Sequence, residues 1–462
     1  MKQNIWTTYS ENQLQELQDI AERYKSCLDA GKTERECVKL SVRMAREAGY
    51  RSLAEVQASG QALNEGDKVY AVNMDKMLAL FRIGREPVSA GMNILGAHID
   101  SPRIDVKQNP LYENEGFSYL DTHYYGGIKK YQWVAQPLSL HGVVVKKDGT
   151  VTEVSIGEDE SDPVFVITDL LVHLAQEQLE KKASKVIEGE KLDLLVGNRP
   201  LDSVIEGQEQ KETVKENVLA LLKEKYGMEE EDFSSAELEI VPAGKARDCG
   251  FDRSMILSYG QDDRVCAFTS LFAMLEVDAA EKTGCCLLVD KEEIGSVGAT
   301  GMHSRFFENT VAELIAMTEG ESELKVRRAL TNSRMLSSDV SAAYDPMYAE
   351  AFEKRSSAFF ANGVTFNKFT GSRGKSGSND ANAEYIAALR KAMDDAKVAY
   401  QFAELGRVDL GGGGTIAYIM ANYGMEVIDS GVAVLNMHAP YEVTSKADVY
   451  EAVKGYRAFL RM

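Results

Sequence analysis

Several short apolar runs in this chain end on an imidazole or a carboxylate. Ile94-Leu95-Gly96-Ala97 runs into His98 and Asp100, and Cys285 to Val289 runs into Asp290-Lys291-Glu292-Glu293. Met335-Leu336-Ser337-Ser338 ends on Asp339, and Gly431 to Met437 leads to His438. Short apolar runs bounded by polar residues read as strands buried on both faces, the texture of a sheet covered by helices. In open sheets of that kind, ligands gather beyond the carboxyl ends of the strands. The pattern predicts an α/β fold with these side chains converging at one edge, and it argues against a helical bundle or a β-sandwich.

The remaining signals fit that texture. Ser10-x-x-Gln13 and Thr33-x-x-Glu36 are capping boxes that open helices. An apolar stripe of Leu14, Leu17, Ile20, Tyr24 and Leu28 stops at Gly31, and one of Val38, Val42 and Ala45 stops near Gly49. Val69 to Val72 and Met77 to Phe81 read as strands. Gln261-Asp262-Asp263-Arg264 opens a helix on which Val265, Phe268, Leu271, Phe272 and Leu275 recur at helical spacing. From about Phe117 the pattern changes to short strands separated by Gly, Asp and Pro: Leu138 to Lys146, Val151 to Ile156 and Val164 to Ile167. One helix is expected over Leu170 to Lys182. The charged stretch 189–233, with Glu229-Glu230-Glu231-Asp232, is expected to be a solvated face or loop. The expected division is a catalytic domain in two parts, 1–105 and 245–462, interrupted by a β-rich domain over 106–244.

Charge and cysteine usage exclude several functions. A net charge of -20 and a pI near 4.9 oppose binding to nucleic-acid phosphates or to an anionic membrane. The six cysteines form no CxxC pair, which suits a reducing cytoplasm. The N-terminal stretch lacks the apolar core of a signal peptide, and no apolar run is long enough to span a bilayer.

His98-x-Asp100 on an extended chain points both side chains the same way, so the carboxylate can fix the orientation of a metal-bound imidazole. Together His98, His438, Asp262, Glu292, Glu293 and Asp339 suit two divalent ions about 3.5 to 4 Å apart, with one carboxylate bridging and one left over as a base. Adjacent Glu292 and Glu293 suit that division, since neighbours in extended chain diverge. Each residue taken singly is an ordinary cap, surface charge or hydrogen-bonded core group. The residues alone point to a dinuclear metal hydrolase whose nitrogen and oxygen ligands accept zinc, cobalt or manganese. No HExxH or GxSxG occurs, and Gly374-Lys375-Ser376 is no phosphate loop, because Phe369 stands where its first glycine is required.

GAHIDSPRIDVK, YGGI with Trp133, PLSLHGVVV, QDDRVCAF, DKEEIGS, SSDVSAA, GGGGTIAYIM and NMHAPYE follow one another along nearly the whole chain. In that order they resemble the aspartyl aminopeptidase and vacuolar aminopeptidase I family of dinuclear zinc metallopeptidases. The resemblance implies a zinc-peptidase-like (phosphorylase/hydrolase-like) mixed-sheet catalytic domain with an inserted β-rich dimerisation domain, assembled as a homododecamer built from dimers. It implies Asp262 as the bridging ligand, His98 and Asp339 completing one metal site, and Glu293 and His438 the other. Glu292 resembles the general base, and Asp100 the partner that orients His98. The implied substrates are peptides with a free N-terminus, whose first peptide carbonyl is attacked by a water held between the ions. One departure concerns selectivity. Asp169 stands where aspartyl aminopeptidases supply a histidine, across a subunit boundary, to the acidic side chain of the substrate. A carboxylate there repels N-terminal Asp or Glu, so a neutral or basic N-terminal residue is expected unless Asp169 only caps the following helix. Lys368 and Lys375 are further candidates for facing substrate. A deacylase or carboxypeptidase would share the same core, and a non-catalytic scaffold or cargo protein would show gaps in the ligand set, of which the sequence has none.

Overall fold

The computed structural model describes residues 4–201, 213–278, 280–371 and 373–462. It is a mixed α/β protein in two compact units. Met1–Asp100, Ala246–Met437 and Glu442–Met462 make the first, and Ser101–Lys245 with His438–Tyr441 the second.

The first unit is built on a nine-stranded sheet. Its order is Arg51–Ser52, Lys68–Asn73, Met77–Arg82, Thr283–Val289, Met92–His98, Arg334–Ser338, Glu426–Gly431, Val364–Asn367 and Tyr400–Phe402. The four strands from Thr283–Val289 to Glu426–Gly431 run parallel to one another, and every residue of Met92–His98 and Thr283–Val289 is buried. Alternate side chains enter opposite cores. Leu95, Ala97, Cys286 and Leu288 pack with Phe268, Phe272 and Tyr456, whereas Ile94, Cys285 and Leu287 pack with Phe307, Leu314 and Ile419. Burying each such leucine or phenylalanine contributes about 1.5–3 kcal/mol, so the central strands are held from both sides.

Both capping boxes form, opening Glu11–Ala30 and Glu34–Glu47, and the first helix ends on Gly31 as its stripe requires. Leu14 is the exception within that stripe, since it lies exposed near the helix start. Gln261–Glu276 is buried almost all round, but its first turn departs from helical geometry at Asp262 and Asp263. A smaller five-stranded sheet joins Arg247–Cys249, Met255–Ser258, Glu442–Ser445, Ala433–Leu435 and Ser341–Ala342 in the same unit.

The second unit carries a six-stranded antiparallel sheet ordered Val151–Ile156, Leu138–Val145, Ala236–Pro242, Arg103–Asn114, Phe117–Tyr125 and Leu194–Gly197. Two expectations fail here. Residues 164–167 make only isolated bridges, Phe165 to Leu138 and Val166 to Leu195, because successive residues pair with different strands and no continuous ladder forms. No single helix covers Leu170 to Lys182. A 3₁₀ turn Val172–Leu174 and a short helix Gln176–Leu179 replace it. Leu170, Leu171 and Leu174 stand three and four residues apart and could share one helical face, but with Val172 all stay exposed, so no burial repays the cost of nucleating a long helix. The charged stretch is a solvated face on regular elements: its helix Thr213–Tyr226 buries only Val214. Residues 202–212 of it lie outside the described residues, but the rest includes the strand Leu194–Gly197, the helix Thr213–Tyr226 and the 3₁₀ segment Glu230–Ser235. Among the described residues no helix is long and apolar enough to cross a membrane.

Candidate metal centre

The parallel strands deliver their terminal residues to one place. His98, the last residue of Met92–His98, is fully enclosed, with its Nδ1 3.0 Å from the carbonyl oxygen of Asp100 and 3.3 Å from that residue's Oδ1. Donation from Nδ1 leaves Nε2 as the ligating nitrogen. That Nε2 lies 3.2 Å from Asp262 Oδ1, 3.8 Å from Asp339 Oδ1 and 3.9 Å from Glu292 Oε2.

Each carboxylate is aimed by its backbone. Asp339 follows Arg334–Ser338, and its N–H donates to the Ser430 carbonyl oxygen at 2.8 Å. That approach needs Gly431, where a Cβ would come within 1.8 Å of the Asp339 carbonyl oxygen. The Asp262 N–H donates to Oε2 of the buried Glu442 at 2.9 Å. Gln261, just before it, is pinned by Nε2 donating to the Glu442 and Ile256 carbonyls and by Oε1 accepting from the Thr444 and Tyr24 hydroxyls. The Glu292 and Glu293 N–H groups donate to Asp100 Oδ1 and Oδ2 at 3.1 and 3.2 Å. Asp100 therefore touches both the imidazole and the loop that carries the two glutamates. Those glutamates lie in a 3₁₀ turn, Glu292–Ile294, entered through Lys291 at φ 67°, and not in extended chain. Their side chains diverge by the threefold rotation of that turn and not by strand alternation.

His98, Asp262 and Asp339 can bring one ligand atom each within 4.8 Å of one another, and so can His98, Glu292 and Glu293. Such packing strains the charges. Burial pushes the Glu292 carboxyl up to about 8, aided by the nearby Asp339, Asp100 and Asp262 and opposed by His98. Burial likewise raises Asp339, with His98 opposing. For His98, burial alone would lower the pKa, but hydrogen bonds to Asp100, Asp262 and Asp339 outweigh it and hold the ring well above its usual value. Carboxylates crowded to this degree around one imidazole call for a cation, and a nitrogen and oxygen donor set within one coordination radius fits zinc.

His438 belongs to the 438–441 segment that packs with the second unit, at φ 65°, with Nδ1 2.9 Å from the Gly127 carbonyl oxygen, so its Nε2 is likewise the nitrogen left to ligate. Asp169 is exposed in the second unit, and its Oδ1 accepts from the Leu170 N–H and from Gln178 Nε2, both at 2.8 Å. No regular helix starts at Leu170, so Asp169 holds a turn instead of capping a helix. Lys368 and Lys375 lie on the stretch that follows the strand Val364–Asn367. Lys368 lines a cleft with Arg390 and Phe402, and Lys375 Nζ lies 2.9 Å from Asp380 and over the Phe369 ring. Ser372, in the same loop, falls outside the described residues.

Sequence reasoning missed three buried acids around the site. Glu442 fixes Asp262. Asp290 accepts from the Lys291 N–H and the Thr300 hydroxyl and so shapes the glutamate loop. Asp263 is enclosed directly behind Asp262, its carboxyl driven well above the usual range by burial and by Asp339. The doubled aspartate was the one visible signal, since a single N-cap needs only one.

Residues 27–460 match the profile of the aminopeptidase I zinc metalloproteases, peptidase family M18. A Clostridium acetobutylicum protein described as a probable M18 family aminopeptidase 1 is 61% identical over 457 residues, covering 99% of this chain and 97% of its own. The crystal structure of an M18 aminopeptidase from Thermotoga maritima superposes with a TM-score of 0.94 at 43% identity, over 100% of both chains. A yeast mApe1 dodecamer shares the fold, with a TM-score of 0.75 at 21% identity over 96% of each chain.

Proposed function

The chain belongs to the M18 family of aminopeptidase I zinc metalloproteases and is a zinc metallo-aminopeptidase, and from that premise we propose how its residues divide the work. Two zinc ions would be held by five residues, with Asp262 shared between them, His98 and Asp339 serving one and Glu293 and His438 the other. The observation that carries this reading is the meeting of His98 Nε2 with Asp262 and Asp339, residues far apart in sequence, within 4.8 Å.

When bound, the ions supply Lewis acidity toward the peptide carbonyl and lower the pKa of water to near neutrality. Everything else falls to the protein. Glu292 takes the proton of the attacking water and hands it to the departing nitrogen of the first peptide bond, a shuttle that works best when the carboxyl's pKa lies near the working pH. Asp100 keeps His98 in one tautomer and, through its bonds to the Glu292 and Glu293 N–H groups, holds base and ligand in register. Glu442 anchors Asp262 from behind.

Several finer points rest on the same reading. The Ser101–Lys245 unit is an inserted dimerisation domain, and the protein assembles as a homododecamer; the exposed leucines near 170–179 and the dodecameric mApe1 support this. Its place is the cytoplasm, which suits six free thiols. The favoured N-terminal residue is neutral or basic, because Asp169 would repel an acidic one across a subunit boundary. Metal analysis of the purified protein with a panel of Asp-, Leu- and Lys-anilides tests the proposal. Two zinc ions per chain and turnover of Leu or Lys above Asp are expected. One ion per chain would sink the dinuclear assignment, and a clear advantage for Asp would sink the selectivity.

A further inference from the structure

The end of the nine-stranded sheet opposite the metal centre carries two exposed cations, Lys368 and Arg390. Val364–Asn367 runs antiparallel to Glu426–Gly431, so Lys368 emerges at the end of the sheet away from His98 and Asp339. Its parallel neighbour Tyr400–Phe402, the last strand of the sheet, emerges the same way into Ala403 and Glu404. Lys368, Phe369, Arg390, Tyr400, Phe402 and Glu404 line a cleft of about 590 Å³ there.

Two features mark this cleft. The chain has 72 acidic against 52 basic residues, yet among the described residues no carboxylate pairs with Lys368 or Arg390, and both side chains are exposed. Beside them lies a fixed aromatic wall. The Phe402 ring, 36% exposed, packs 5.9 Å from buried Phe366 and 6.0 Å from Tyr400, centroid to centroid. Phe369 is covered by Lys375 Nζ at 3.9 Å. Cations left free in an acidic protein supply charge-assisted hydrogen bonds to an anion, and a rigid ring wall supplies stacking at little entropic cost. A cleft of this volume lies in the size range of small-ligand sites.

We propose that this cleft binds a small organic anion bearing a planar ring, Lys368 and Arg390 holding the anionic group and Phe402 stacking on the ring. None of the proposed metal ligands lines it, so its occupant is not the peptide being cleaved. Calorimetric titration of the zinc-loaded protein with AMP and phenyl phosphate tests this, with inorganic phosphate and adenosine as the two halves alone. At least one ring-bearing anion should bind saturably and at least about tenfold more tightly than either half. If only AMP does so, the ligand is a nucleotide; if both do, any aromatic phosphate suffices. The double variant Lys368→Ala, Arg390→Ala and the single variant Phe402→Ala should each weaken that binding by about tenfold or more. All three positions are at the surface, so folding should survive. Absence of saturable binding up to about 10 mM, or phosphate binding as well as the ring-bearing anions, overturns the proposal. So does binding that persists in the variants, which would place the anion on the zinc ions.

Discussion

In the nine-stranded sheet of the first unit, every residue of Met92–His98 and Thr283–Val289 is buried, whereas in the six-stranded sheet of the second unit Val151–Ile156 buries only Val154 and Ile156. A strand covered on both faces has nowhere to put a polar side chain except at its end. His98 and Asp339 are therefore forced to the sheet's edge, where they meet. A strand with one wet face tolerates polar residues along its length, as Lys107 with Asp121 and Glu190 shows, and gathers no such cluster. The difference teaches where polar groups can cluster: the first unit fixes His98 and Asp339 on rigid strand ends, while the second presents exposed turns such as the one at Asp169.

The sharpest way to break that contrast is to remove the base without touching the scaffold. Glu292→Gln should lower turnover by about 10² to 10⁴-fold, the range for general acid–base catalysis, while zinc content and melting temperature stay as in the parent. Loss of zinc in step with activity would instead make Glu292 a ligand and reopen the assignment of Glu293.

Stability should divide along the same line. Leu287→Ala, in the centre of the sheet and fully enclosed, should cost about 2–5 kcal/mol in urea unfolding, from lost transfer energy and the cavity left behind. Val151→Ala, on the wet side of the second sheet, should stay within about 0.5 kcal/mol. Equal effects would mean that the two sheets are not held as their burial implies.

These same strands explain what could be read from sequence. The continuous apolar runs that end on His98 and Asp339 are visible because a doubly covered strand must be apolar throughout, and the capping boxes at Ser10 and Thr33 are visible because both partners lie within one turn. The bonds from the Glu292 and Glu293 N–H groups to Asp100 join residues nearly two hundred positions apart and are made by backbone, which leaves no trace in residue type. Glu442 is hidden for the same reason. Residues 170–179 misled because leucine-rich sequence suggests a helix only if its leucines can share a buried face, and here they stay in solvent.

Acidity should tune metal loading before it tunes structure. In the metal-free protein His98 titrates well above its usual value, Glu292 near 8, and Asp339 above the ordinary carboxylate range, so near neutrality the cluster holds protons that zinc must displace. Apparent zinc affinity should therefore rise as pH increases toward 8 and fall as pH drops, with net proton release on binding. Calorimetry in two buffers of different ionisation enthalpy would read the proton count directly. An affinity flat between about pH 6 and 8 would show that the cluster is already deprotonated and that its crowding is relieved some other way.

The smallest effect on catalysis should come from the second unit. Asp169 is exposed and already spends one carboxylate oxygen on the Leu170 N–H and Gln178, so changing it removes local order as well as charge. Asp169→Asn keeps an acceptor for the Leu170 N–H and deletes only the charge. Asp169→His adds a cation below about pH 6.5 and a donor above it. If the residue faces the substrate's first side chain, the ratio of kcat/KM for Asp-anilide over Leu-anilide should rise modestly in the asparagine variant. It should rise about tenfold in the histidine variant, roughly 1.4 kcal/mol of differential binding. The gain for histidine should grow as pH falls, because imidazolium attracts an acidic side chain that a neutral ring only hydrogen-bonds. A ratio unchanged in both variants, with only a lower melting temperature, would reduce Asp169 to the turn it visibly holds and leave selectivity to residues of the first unit.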